Sequence, residues 1–94
     1  MLEDLKTTVR EGLREMRDRA DELARQGRLR MDMFQAERRL KAAQASLGEA
    51  VYTYLNDGAA VTLDDQRIEE LVARVRYYQD ELNRLTEELK RATG

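Results

Sequence analysis

The 94-residue chain contains no cysteine, no histidine, no proline and no tryptophan. Each absence removes a class of chemistry. Without cysteine there is no disulfide framework and no thiol nucleophile. Without cysteine or histidine the usual zinc ligand sets cannot form, and there is no imidazole base. Without proline nothing forces a helix to stop. Aromatic residues are few: four Tyr and one Phe. No apolar run exceeds three residues, so no helix is expected to span a membrane. The opening Met1-Leu2-Glu3-Asp4 lacks the apolar core of a secretory signal, which makes the cytoplasm the expected location.

What is present is charge. Acidic and basic groups make up 38% of the chain, 19 against 17, for a net charge of -2. The balance holds locally: residues 1–27 carry -1, residues 28–57 carry +1 and residues 58–94 carry -2. A nucleic-acid binder would show a basic stripe or a high pI. The sequence pI is about 5.2 and the mean hydropathy is -0.77, so no nucleic-acid partner is expected. Arg28, Arg30, Arg38, Arg39 and Lys41 form only a modest basic cluster.

Ala, Leu, Glu, Arg and Gln dominate, all good helix formers, and strand-like alternation is absent. The composition and periodicity predict an all-α chain, a single helical domain over residues 1–94. One cluster, Asn56 to Thr62, breaks the helical pattern. Gly58 suits the left-handed position that closes a helix. Thr62 suits the N-cap of the next one, with Asp65 three residues later as its capping acid. The pattern therefore predicts a helix over about 2–57 with a kink allowed at Gly27, a turn over 57–62, and a helix over about 63–92.

Two apolar seams flank the turn. Leu29, Met33, Ala36, Leu40, Ala43, Leu47, Ala50 and Tyr54 alternate spacings of four and three. Ile68, Leu71, Val75, Tyr78, Leu82, Leu85, Leu89 and Ala92 alternate three and four. Equal heptad seams joined by a short turn predict an antiparallel helical hairpin, with these residues as its coiled-coil core. Glu37/Lys41, Glu70/Arg74, Asp80/Arg84 and Glu87/Arg91 stand at i, i+4 on the outer faces, where each pair is worth about 0.2–0.5 kcal/mol. Gly48 beside Tyr52 reads either as relief of crowding against Tyr77 or Tyr78, or as a notch for a partner.

Residues 2–27 are surplus to the hairpin. Leu2, Leu5, Val9, Leu13, Met16, Ala20 and Leu23 form a further helical stripe. A straight first helix would be about 85 Å long at about 1.5 Å per residue, with half its length uncovered. Two arrangements would bury the stripe. In one, the helix runs through Gly27 and a second copy packs on the arm. In the other, residues 26–28 turn and the arm folds back as a third helix. No Pro and no N-cap residue supports a turn at Gly27. The expectation is therefore a long N-terminal helix and a homodimer or higher homo-oligomer. Leu2, Leu5, Val9, Leu13, Met16 and Leu23 are its predicted interface, and a partner helix is the other candidate occupant.

From Leu29 onward the chain resembles a group of small bacterial coiled-coil proteins of unassigned function, many of which carry a C-terminal zinc ribbon. The resemblance rests on the stretch Ala45 to Tyr54 (ASLGEAVYTY), an acidic turn (Asp57, Asp64, Asp65), and a helix opening with Ile68, Leu71, Val72 and Val75. It implies a bacterial hairpin protein and no known activity. These 94 residues contain no cysteine, so the ribbon has no counterpart among them.

The functional expectation is a non-enzymatic structural or interaction protein: a self-associating hairpin whose amphipathic arm binds a second copy or a partner helix. No catalytic residue, cofactor or metal is expected. A hairpin offers no pocket of useful size, and the adjacent carboxylates Glu69/Glu70 and Glu87/Glu88 face different directions on a helix. One alternative is a regulator that works through its tip, similar to the coiled-coil secondary-channel regulators of bacterial RNA polymerase, with Asp57, Asp64 and Asp65 at the tip. Another is a peripheral membrane-surface helix built on residues 2–23. Arg10, Arg14 and Arg17 favour it, and the acids Asp4, Glu11, Glu15, Asp18 and Asp21, expected to share that surface, oppose it.

Overall fold

A computed structural model describes residues 1–94. The chain is all-α. Helix α1 spans Leu2–Asn56 and helix α2 spans Gln66–Thr93. They lie antiparallel in a hairpin measuring 85 × 18 × 17 Å. α1 passes through Gly27 without interruption, so the arm extends instead of folding back. A 55-residue helix is about 82 Å long at 1.5 Å per residue, which accounts for the long dimension.

Packing follows the two seams. All sixteen seam residues are buried or half-buried. The seven fully buried residues, Leu29, Ala36, Leu40, Ala43, Ile68, Leu71 and Leu85, all belong to them. The helices interlock small against large. Ala36 and Leu29 cluster with Leu85, and Met33, Leu82, Leu89 and Ala92 close around them. The same antiparallel register sets Ala43 against Tyr78 and Ala50 against Leu71. Alanine on α1 brings the backbones close, and the larger side chain of α2 fills the space.

The seam does not stop at Leu29. Gln26 and Glu22 continue its spacing upstream and are half-buried. Gln26 Nε2 donates to the Ala92 carbonyl at 3.3 Å. This contact satisfies a carbonyl in the last turn of α2, where the helix itself supplies no donor.

The turn is built from capping. α1 ends in a Schellman motif: Ala59 N–H donates to the Tyr54 carbonyl at 2.8 Å, and Gly58 N–H to Leu55 at 3.1 Å. Gly58 has φ +75°, the left-handed value expected of it. α2 starts later than the pattern predicts. Its N-cap is Asp65, whose carboxylate accepts from Ile68 N–H at 3.1 Å. Thr62 instead opens a turn that Asp65 N–H closes onto its carbonyl at 3.3 Å. Asp65 wins because it has a second partner at the hairpin end: the Tyr54 hydroxyl donates to the same Oδ1 at 3.0 Å.

None of the four expected i, i+4 ion pairs forms. Arg84 pairs with Glu88 at 2.7 Å and Glu81 at 3.6 Å, and Lys90 with Glu87 at 3.5 Å. Glu81 and Glu88 are half-buried beside the seam and draw Arg84 away from Asp80. Exposed pairs differ by tenths of a kcal/mol, so local side-chain position decides the choice.

Candidate functional site

The arm is a helix with nothing beside it. Leu2, Leu5, Val9, Leu13, Met16 and Leu23 are each between 54% and 75% exposed. The core positions Met33, Leu40, Leu47, Tyr54, Ile68, Leu71, Val75, Tyr78, Leu82, Leu85 and Leu89 all sit at the α1–α2 interface, buried or half-buried.

An unbroken α1 puts arm and hairpin in one angular frame, at about 100° per residue. In that frame the six apolar arm residues fall within an arc of roughly 80°. Continuing the spacing from Leu23 by four, four and three passes Gly27 and reaches Met31 and Phe34. Both are large, apolar and more than half exposed, and the Arg38 guanidinium lies over the Phe34 ring at 5.8 Å. The apolar stripe is therefore longer than the arm. In its final stretch it runs on the face of α1 opposite the one that holds Leu29, Met33 and Ala36 against α2. In the sequence alone the stripe ends at Leu23, because Gly27 carries no side chain and Leu29 opens a different seam.

The same frame separates the charges. Glu3, Asp4, Glu11, Glu15, Asp18, Asp21 and Glu22 all lie more than about 110° from the stripe's centre. Within about 100° of it stand Lys6, Arg10, Arg17, Arg19, Arg28 and Arg30. The acids of the arm thus occupy its back and do not border the stripe, contrary to the expectation that they share its surface. The one ion pair of the arm, Arg25 with Glu22 at 4.0 Å, is also on the back.

At the other end, the three tip acids have different situations. Asp65 is engaged by Ile68 N–H and Tyr54. The Ile68 N–H bond is the main cause holding its carboxyl below the ordinary carboxylate range. The Tyr54 hydroxyl and Arg67 N–H add to it, against partial burial. The Tyr54 phenol is pushed above its ordinary value, first by its hydrogen bond to Asp65, then by partial burial and the nearby negative charge, with Arg67 opposing. Asp57 closes α1, and Asp64 is exposed. No three acidic side chains come close enough to share a metal ion.

Two smaller features complete the surface. A Cβ at Gly48 would meet no atom within 4 Å, so this glycine relieves no crowding; Tyr77 and Tyr78 pack edge-on against each other at 5.3 Å instead. Arg39 and Arg74 line a shallow open groove across the two helices with Ser46 and Tyr78. No helix is long and apolar enough to cross a membrane. No protein-family model, curated protein or solved structure matches the chain.

Proposed function

We propose that this is a non-enzymatic interaction protein: the hairpin is a rigid scaffold, and the arm is its binding surface for a helix, either a second copy of the chain or a partner. One observation carries the reading: a file of six large apolar side chains, all more than half exposed, on an arm that the hairpin leaves bare. Full burial of such side chains is worth about 1.5–3 kcal/mol each. Most helical stability in proteins comes from packing an amphipathic face, which the arm lacks, so a partner helix both covers the stripe and stabilises the arm that carries it. The shape supports a scaffold, since the hairpin holds α1 rigid up to the residue where the arm begins.

The tip-regulator alternative has less support. It needs free acids at the tip, and Asp65 is committed to capping α2 and holding Tyr54. The test of the main reading is absolute molar mass over a tenfold concentration range, together with hydrogen exchange of the arm amides. The reading expects arm protection to rise on association, either with a second chain or with an added amphipathic helix. An arm that stays unprotected under every such condition would overturn it.

A further inference from the structure

The arm's stripe has a border, and the border has one sign. Lys6, Arg10, Arg17 and Arg28 stand along one edge and Arg19 and Arg30 along the other, every acid of the arm lies farther from the stripe's centre than these cations, at about 120° or more, and none of the six takes an ion pair within the chain. On a helix that pairs through a narrow apolar seam, the residues beside the seam set the choice of partner. From this arrangement we infer that the occupant of the arm is a foreign amphipathic helix with acidic residues along both edges of its own apolar seam. The inference rests on the arm being a helix-binding surface and names what that surface accepts.

Charge decides against a second copy. Two identical stripes carry cations on both edges, so either orientation of a self-pair sets cation against cation with no attractive pair to offset it. Width favours a single helix as occupant. An arc of about 80° is the seam of one helix, whereas a stripe facing a core exceeds about 100°, and a helix lying on a lipid surface presents a broad apolar face. Over the stripe's full length, residues 1–34, eight acids cancel eight bases, so a broad anionic bilayer gains little net attraction, whereas a helix edge meets only the local border. Access allows a long partner. The stripe passes from the arm onto Met31 and Phe34 on the side of α1 away from α2, so a helix lying along it meets no part of the hairpin.

The test uses the full chain and two synthetic probe helices of about four heptads. Both have Leu along the seam; one has Glu on both edges, the other Lys. Like charges keep each probe from pairing with itself. The Glu-edged probe is expected to bind at least about tenfold more tightly at low salt, with the gap closing as salt rises, and to protect the arm amides. Replacing Arg17, Arg19 and Arg30 together by Glu leaves three cations against three acids on the border and should abolish the preference; these residues are exposed, and circular dichroism checks that the helices persist. Equal binding of both probes, or a dimer that protects the arm, overturns the acidic-helix inference and leaves the arm a helix-binding surface. Binding to phosphatidylserine vesicles with no binding to either probe overturns both, in favour of a membrane surface. No binding and no self-association overturns both outright.

Discussion

Replacing Leu71 by Ala tests whether the hairpin core and the arm are energetically separate. Leu71 is the one large side chain with no exposed surface. Removing a buried leucine to its Cβ costs about 2–5 kcal/mol, the spread reflecting how far the site collapses. With only two helices around it, collapse is partial and easy, so about 2–3 kcal/mol is expected. A chain of this length has a total stability of about 5–14 kcal/mol. With seven buried residues, the hairpin belongs at the low end, and one truncation removes a large fraction of it. The same change at Leu13, more than half exposed on the arm, should stay within about 0.5 kcal/mol. The assay is urea unfolding followed by tyrosine fluorescence. All four tyrosines, at 52, 54, 77 and 78, lie in the hairpin and none in the arm, so the signal ignores fraying of the arm. With a slope of about 1–3 kcal/mol per molar urea, Leu71→Ala should move the midpoint by about 1–2 M, and Leu13→Ala by a small fraction of that. Equal shifts, or a Leu71 shift below about 0.3 M, would refute the separation.

Hydrogen exchange of the isolated chain should show the arm amides before residue 22 exchanging far faster than those of 30–52 and 69–90, because an uncovered helix opens locally; uniform protection in dilute solution would contradict it. Gly27→Ala, where a Cβ meets nothing, should add about 1 kcal/mol of helix stability and raise the signal at 222 nm. Gly58→Ala forces a side chain into φ +75° and should cost about 1–2 kcal/mol in the same unfolding assay. The lowered Asp65 pKa means its cap stabilises the hairpin fully above the ordinary carboxylate range and is lost as pH falls through and below that range. Asp65→Asn keeps an acceptor without a titrating group, so it should flatten the acid limb of melting temperature against pH. A limb as steep as the parent's would show that other carboxylates carry it.

The hairpin was legible in the sequence because its determinants are periodic and local. The seam from Leu29 to Tyr54 and the seam from Ile68 to Ala92 are complete heptad files, and Gly58 is the one residue type that closes a helix in the left-handed region without strain. What escaped depends on relations between elements. Thr62 and Asp65 are both good caps in isolation; the choice between them is made by the Tyr54 hydroxyl, eleven residues before Asp65. Gln26 and Glu22 extend the seam in polar form, invisible to a search for apolar residues. The cationic border of the arm appears only when α1 is known to be unbroken at Gly27, since a turn there would erase the common angular frame. Once it is unbroken, charges that look interspersed along the chain resolve into a basic border beside the stripe and a back that holds all the arm's acids together with Arg14 and Arg25.

The proportions of the rod also govern how the molecule moves through solution. Its radius of gyration is 23.4 Å, against about 12 Å for a compact chain of the same length and a value typical of a globular protein of about 500 residues. A single copy therefore sediments slowly and leaves a sizing column early, in the position of a much heavier assembly. It spins readily about its long axis and tumbles end over end slowly. Its fluorescence anisotropy decay would carry two rotational times, and lateral docking of a helix on the arm would thicken the rod and lengthen the faster one.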